Sequence, residues 1–434
     1  MFNPREAALN SLNKFESQSS FSNIEINTVV SRQKAEKNDI SLYTLLFLGV
    51  IEKKMLLDSI IDEYSKIPSS KIELSTKNVL RLGLYQLLFT DKIPDYSAVS
   101  ESVNLAEKRS KGFVNAILRS FIRANKKYSL PQNEWERISI EYSVPLSLIE
   151  IFKSSYGEEI ARLLSTLPPQ KSQISLRVNT LKANENELVE KIKADGYSAA
   201  VSLIAKDIVK TDAPISVLQS YLDEGFCFVQ DESSRIASMV VGARAGETIA
   251  DTCACPGGKT FGMAIDMQNE GEIFSSDLHE NKLSLISKGA KKLGINIINT
   301  KEQNAKEFVL EYEEKFDRVL CDVPCSGLGV IFKKPDIKYK SIDNIRALPD
   351  IQYDILNNCA KYVKKGGFLI YSTCTLNAME NEKNVEKFLE NNPNFEPCDF
   401  EIGDIKSTKG GYTFFPHINS TDGFYVAKMR KKND

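Results

Sequence analysis

The stretch IADTCACPGGKTFGM, residues 249–263, decides how the rest of the chain is read. Its apolar start, ending at Asp251, reads as a strand, and KTFGM reads as the opening of a helix. Between them lie two cysteines, a proline and two glycines. Gly257 and Gly258 carry no Cβ, so backbone N–H groups there can approach a ligand closely. The helix N-terminus behind them favours negative charge. Asp277 follows about 20 residues later, the spacing at which a carboxylate bonds ribose hydroxyls. These features describe a site for a nucleoside-containing cofactor. The run is not G-x-G-x-x-G. Gly258-Lys259-Thr260 ends like a phosphate loop, but the glycine that should open such a loop is missing.

Outward from this turn, strand-like runs at 248–251, 273–277, 295–300, 318–322, 368–372 and 424–429 alternate with helical stretches. That pattern predicts a mostly parallel sheet with helices on both faces and an antiparallel last strand. Ligands bind such sheets beyond the carboxyl ends of the strands. The residues predicted there are Asp251, Cys253 and Cys255, then Asp277, then Gln303 and Asn304, then Asp322, Cys325 and Ser326, then Ser372, Cys374 and Thr375. A lone free cysteine is most often buried filler. Cys325 and Cys374, at the ends of adjacent strands, instead form a pair facing one cleft. A thiolate is the nucleophilic form, and two thiols suit an attack step followed by a deprotonation or release step.

The chain has 434 residues, enough for two or three domains. Its 56 basic and 58 acidic residues give a net charge of −2, so no global field announces nucleic acid. A local basic face does exist. Residues 108–127 hold no acid but carry Lys108, Arg109, Lys111, Arg119, Arg123, Lys126 and Lys127, with Val114, Ile117, Leu118 and Phe121 at helical spacing. One buried face and one positive face make a nucleic-acid footprint. The opening MFNPREAALNSLNKFE has scattered charges and no apolar signal core, and the apolar run near 42–51 is too short to span a bilayer. A cytoplasmic protein without membrane contact is expected. The eight cysteines are then expected to be free. Cys321 and Cys325 make at most half a zinc site, and His279 and His417 stand apart, so no metal is expected.

The motifs DTCACPGGKT, CDVPCSGLGV, YSTCTL and TDGFYVAKM resemble those of the RNA cytosine carbon-5 methyltransferases that use S-adenosylmethionine. GFVNAILR resembles the NusB-type RNA-binding domain. With SLRVNTLK and VQDESS between them, the pairing resembles the bacterial 16S rRNA members of that family over nearly the whole chain. The resemblance implies an α/β, Rossmann-like methyltransferase domain with a mixed seven-stranded sheet at 226–434. An all-α NusB-like bundle at 1–130 and a linker with a small α/β RNA-binding subdomain at 131–225 would precede it.

Residue roles follow from the same resemblance. Cys374 would attack carbon 6 of the target cytosine, and Cys325 would assist removal of the carbon-5 proton and release of the enzyme. Asp322 would hydrogen-bond the ring-nitrogen edge, and Lys259 would orient groups near the base. Cys253, Ala254, Cys255, Pro256, Gly257, Gly258 and Lys259 would cradle the cofactor, with Asp277 on its ribose and Asn304 and Asp322 as further contacts. Arg177, Lys333 and Lys334 would meet RNA, together with Arg119 and Arg123 of the basic helix. The implied partner is 16S rRNA at an unpaired cytosine, where flipping a base out costs least, and a monomer is the default. Two positions depart from the family pattern: Cys255 replaces an alanine, and Asn304 replaces an acid. Two other readings compete. One is a non-catalytic RNA-binding factor, which the retained Cys325, Cys374, Asp322 and Gly257-Gly258 disfavour. The other is a methyltransferase for DNA, tRNA or protein. In the DNA type the Pro-Cys cysteine, here Cys325, would attack, whereas the second thiol and the helical module favour RNA.

Overall fold

A computed structural model describes residues 2–18, 22–32, 36–168 and 173–433. The chain divides into two compact units, Met1–Pro168 with Ile331–Lys340, and Pro169–Val330 with Ser341–Asp434.

The first unit is helical: α1 (Pro4–Gln18), α2 (Ser22–Arg32), α3 (Lys37–Glu52), α4 (Lys54–Tyr64), α5 (Leu74–Phe89), α6 (Asp95–Leu105), α7 (Lys111–Arg123), α8 (Glu134–Tyr142) and α9 (Leu146–Thr166). Pro4 occupies the first position of α1, where its missing N–H costs nothing. The Asn3 side chain accepts from the Arg5 N–H at 3.1 Å. Val114, Ile117, Leu118 and Phe121 of α7 face the core, and Arg119 and Arg123 are exposed, so the basic helix is amphipathic as its spacing predicts. The region from residue 131, expected to be a linker leading into the small α/β subdomain, instead supplies α8 and α9 to this unit. Pro145 starts a helix rather than breaking one, as the N-cap of α9, and Asn133 caps α8 through the Trp135 and Glu136 N–H groups. Pro169, counted with that linker, lies outside the described residues. The distant segment Ile331–Lys340 completes the unit. Tyr339 donates its hydroxyl to the Ile51 carbonyl at 3.0 Å, and Lys338 donates to the Tyr142 carbonyl at 3.2 Å.

The second unit holds two sheets. The smaller is antiparallel in the order β2-β3-β1-β4, from β1 (Ile174–Val178), β2 (Ala199–Val201), β3 (Ile208–Thr211) and β4 (Cys227–Val229), with α10 (Glu185–Ala194) between β1 and β2 and α11 (Ile215–Asp223) before β4. The larger begins after α12 (Glu232–Val241). Its parallel strands are β5 (Thr248–Asp251), β6 (Glu272–Asp277), β7 (Ile298–Glu302), β8 (Phe316–Asp322) and β9 (Val363–Thr373). Helices α13 (Gly258–Asp266), α14 (Glu280–Leu293) and α15 (Ile342–Ala360) separate them, and α16 (Glu382–Asn391) follows β9. The C-terminal strands are β10 (Phe395–Pro397), the short pair β11 (Glu401–Ile402) and β12 (Ile405–Lys406), β13 (Gly411–Phe414) and β14 (Phe424–Lys431). The order is β10-β14-β9-β8-β5-β6-β7, seven strands across, with β13 also on β14. β14 runs antiparallel to β9, as predicted. This mixed sheet is the Rossmann-like methyltransferase architecture.

One expected RNA contact is overturned here. Arg177 sits on β1 with none of its side chain exposed. It pairs with Asp207 at 3.0 Å and with Asp266, at the end of α13, at 3.3 Å. Arg235 of α12 shares both carboxylates. A fully desolvated guanidinium held by two acids pins the small sheet to the helix that opens at the cofactor loop, and it has no face left for a phosphate. Asp266→Ala would leave two buried arginines to share Asp207 alone. The expected outcome is a loss of about 3–5 kcal/mol in unfolding free energy, read by urea denaturation of the intact chain. A loss under about 1 kcal/mol, the surface-pair range, would show that the network carries no such load.

Candidate active site

β5 delivers Asp251 to the carboxyl edge of the sheet, and seven residues later α13 begins. Gly257 adopts φ +109°, and a Cβ there would sit 2.7 Å from the Phe261 ring, so the position requires glycine. The Ala254 N–H is tied to the Ser276 carbonyl at 2.8 Å, which fixes the loop against β6. The thiols in the loop are inert. Burial pushes the Cys253 thiol well up, and burial with the Asp277 carboxylate beside it raises Cys255 to about 12. Both fill space beside the cradle as neutral groups.

Asp251, predicted at this strand end, was given no role in the site by the sequence. It is buried; Thr260 Oγ1 donates to its Oδ2 at 2.7 Å, the Cys253 backbone N–H lies against the carboxylate, and Oδ1 meets no well-aligned donor. Burial, reinforced by Asp322, raises its carboxyl to about 7. An orphaned buried carboxylate oxygen beside a glycine cradle asks for a cationic or N–H donor from a ligand. S-adenosylmethionine, whose amino-acid end carries an ammonium, meets that demand. Asp277 ends β6 and accepts from the His279 N–H at 3.1 Å. Asn304 follows β7 but is turned into its own loop, donating to Glu307 at 2.9 Å and accepting from the Lys306 N–H at 3.1 Å.

The reactive groups meet at the next two strand ends. Asp322 and Ser372 are partners in the parallel β8–β9 ladder. Lys259 Nζ donates to Asp322 Oδ2 at 2.6 Å, and Ser372 Oγ donates to Asp322 Oδ1 at 2.7 Å. Burial opposes the charge of Lys259, but Asp322 and Cys374 outweigh it, so the ammonium is held above its ordinary pKa. Cys325 and Cys374 lie just past these strands with their sulfurs 3.0 Å apart. Cys374 is exposed, whereas Cys325 is half-buried. The Cys325 thiol is pushed well up by its hydrogen bond to Cys374, by burial, and by the charges of Cys374 and Glu380. Gly329 donates its N–H to the Cys374 carbonyl at 3.1 Å. A Cβ on Gly329 would lie 1.7 Å from the Gly423 carbonyl, so the loop after Cys325 packs backbone to backbone.

The structure thus brings Lys259, Asp322, Cys325 and Cys374 together and places Asp277 and Asn304 along the same sheet edge. Ser372, predicted at its strand end but given no role, belongs to this cluster, as does the buried Glu380, which was not anticipated. Of the expected RNA contacts, Arg119, Arg123, Lys333 and Lys334 are exposed residues of the helical unit. Arg119 and Arg123 line a groove of about 570 Å³ with Tyr96, Asn104 and Asn115.

Comparison with known proteins agrees with this geometry. Residues 238–430 match the family model described as 16S rRNA methyltransferase RsmB/F, and residues 2–123 match the NusB family. The Bacillus subtilis probable ribosomal RNA small subunit methyltransferase B is 35% identical, covering 99% of this chain and 98% of that protein. The Escherichia fergusonii ribosomal RNA small subunit methyltransferase B is 31% identical, with 92% of each covered. The crystal structure of PH0851 superposes with a TM-score of 0.81 at 28% identity over 99% of each chain. NSun6 from Pyrococcus horikoshii, solved with SFG, has the same fold at a TM-score of 0.59 and 22% identity, covering 67% of this chain and 99% of that one.

Asp251 is expected to link cofactor binding to pH. Its raised carboxyl is neutral below about 7 and charged above, and a cationic ligand group favours the charged form. S-adenosylmethionine affinity is therefore expected to rise as pH increases through 7, and Asp251→Asn is expected to flatten that rise. Calorimetric titrations between pH 6 and 8 check it; an unchanged slope in the variant would remove Asp251 from the cofactor site.

Proposed function

Because the chain belongs to the RsmB/F family of 16S rRNA methyltransferases, and so methylates small-subunit ribosomal RNA with S-adenosylmethionine as donor, we propose that its target atom is carbon 5 of an unpaired cytosine, reached through a covalent cysteine adduct. The observation that carries this reading is the thiol pair: two sulfurs 3.0 Å apart beside the Lys259–Asp322 ion pair.

Cytosine carbon 5 is too electron-poor to take a methyl group unaided. Addition of Cys374 Sγ to carbon 6 opens the 5,6 double bond and places its electron pair at carbon 5. Exposure favours Cys374 as the attacking thiolate, and the Lys259 ammonium supplies positive charge beside it. Asp322, oriented by Lys259 and Ser372, would hydrogen-bond the ring-nitrogen edge, and the paired Lys259 ammonium would offset the negative charge that develops there on attack. S-adenosylmethionine, when bound, presents a methyl group on a sulfonium that leaves as a neutral thioether. Cys325, which keeps its proton through the attack, then releases that proton to solvent and, as thiolate, takes the carbon-5 proton. The electrons of that C–H bond re-form the double bond and expel Cys374 Sγ from carbon 6. A high thiol pKa makes Cys325 a strong base once it is ionised.

Arg119 and Arg123, with the exposed Tyr96 ring beside them, support RNA contact by the helical unit. Lys333 and Lys334 add exposed positive charge to that unit. The RNA reading includes a single chain acting as a monomer.

Two outcomes test this. Cys325→Ala, mixed with S-adenosylmethionine and unmodified 16S rRNA, is expected to accumulate protein–RNA adduct that survives denaturation. Adding Cys374→Ala should abolish it, and the product of the wild type should be 5-methylcytosine by nucleoside mass spectrometry. Adduct formed by Cys374→Ala alone would reverse the two roles. Separately, replacing Arg119 and Arg123 with alanine is expected to flatten the log Kd versus log salt slope for RNA by roughly 1.4, leaving cofactor affinity unchanged. An unaltered slope would take the groove out of the RNA path.

A further inference from the structure

Six residues beyond Cys374, at the entrance to α16, lies a carboxylate that the reaction above does not use. Glu380 has none of its surface exposed. Its Oε2 accepts from the Ser326 backbone N–H at 2.8 Å and from Gln352 Nε2 at 2.9 Å. Its Oε1 accepts from Ser326 Oγ at 2.6 Å and from Asn377 Nδ2 at 2.9 Å. All four donors are neutral. A buried carboxylate is tolerated when each lone-pair direction meets a donor, so these four groups are held to one geometry by the penalty of leaving the charge unmet.

The donors come from both thiol loops. Ser326 is the residue after Cys325, and Gln352 of α15 also donates to the Pro324 carbonyl at 2.9 Å, on the other side of that cysteine. Asn377 lies past Cys374. Ser326 Oγ and Thr375 Oγ1, 2.5 Å apart, close the ring between the loops. The neighbouring Asn381 clamps the Cys374 side: it accepts from Thr373 Oγ1 at 2.5 Å and donates to the Thr375 carbonyl at 3.0 Å. Each residue flanking the two reactive cysteines on the C-terminal side is therefore tied, directly or through one hydroxyl, to Glu380.

We propose that Glu380 is a positioning residue for methyl transfer, whose buried charge holds the Cys325 and Cys374 loops in register and marks Cys325 as the partner that keeps the proton while Cys374 attacks. The asymmetry is built into the site: a carboxylate stands behind Cys325, and the Lys259 ammonium stands beside Cys374. Negative charge next to one sulfur and positive charge next to the other decide which of two touching thiols ionises first. Glu380 touches neither base nor cofactor in this role and acts only through the sulfurs. The inference rests on the two-cysteine reading above.

Glu380→Gln keeps the shape, removes the charge, and turns an amide NH₂ toward donors. Its kcat is expected to fall about 10- to 100-fold, the cost of a misplaced reacting group, with KM for S-adenosylmethionine unchanged. The readout that mere loosening would not give is thiol selectivity. With iodoacetamide at pH 7 and peptide mass spectrometry, wild-type protein is expected to alkylate at Cys374 well ahead of Cys325, and the Gln variant is expected to narrow that ratio by about fivefold or more. Glu380→Asp, which keeps the charge, should restore most of the selectivity. An unchanged ratio with kcat within twofold of wild type overturns the inference. If the Gln variant fails to fold, Ser326→Ala decides: a lower kcat at constant KM supports the ring, and a wild-type kcat overturns it. Cys374→Ala in the same assay separates the two levels. If it is inactive while Glu380→Gln behaves as wild type, only this inference falls; if it is active, the two-cysteine reading falls first.

Discussion

The short ion pair between Lys259 and Asp322 is the constraint on which the site depends. Lys259 stands in the first turn of α13, so its ammonium is set by the glycine cradle, and Asp322 closes β8, so its carboxylate is set by the sheet. Joining them locks the cofactor loop to the strand end that leads to Cys325. Ser372, opposite Asp322 in the ladder, extends the lock to the strand that leads to Cys374. Both side chains are partly shielded, 17% and 29% exposed, so the attraction is stronger than at an open surface yet the pair is not sealed from a substrate. A dry, fully buried pair would be rigid but useless to a base that must enter.

Much of this site was legible because its chemistry sits at strand ends, and strand ends are marked in the sequence by a change from apolar alternation to polar and small residues. Asp251, Asp277, Asp322 and Ser372 all mark such points, and the residues between them were placed on the correct edge. Strand order was not legible from periodicity, because β5 lies between β8 and β6 through crossovers that leave no local signature. Arg177 was misplaced for a related reason. It alternates along ISLRV like a solvent-facing residue, and the acids that bury it lie far along the chain at Asp207 and Asp266. A buried arginine is visible only once its partners are.

Glu380 was missed, and Asp251 was placed at its strand end without a role, for the opposite reason. Nothing local separates a solvated carboxylate from one buried among donors. The distinguishing fact is burial, 0% and 1% exposed, and that comes from tertiary packing. The two prolines at 131 and 145 show the same limit in helices. Both fall in the stretch expected to be a linker, whereas Pro145 caps a helix that runs to a kink at Gly157 and continues to Thr166. Proline reports that a helix cannot continue through it, not that none begins.

The helical unit is discontinuous in sequence: Ile331–Lys340 belongs to it, while the chain on both sides belongs to the other unit. Buried within it, Asp336 accepts from Ser22, and Tyr339 reaches the Ile51 carbonyl. During synthesis, roughly 160 residues separate the end of the first piece from the arrival of the second. At ribosomal rates that is a wait of about 10–30 s. For that interval the N-terminal helices exist without the segment that fills their remaining contacts, and the groups it will cover stay open to solvent and to chaperones. A fragment cut at residue 168 would remain in that waiting condition permanently, so the boundary drawn by chain order is not the boundary at which this unit becomes complete.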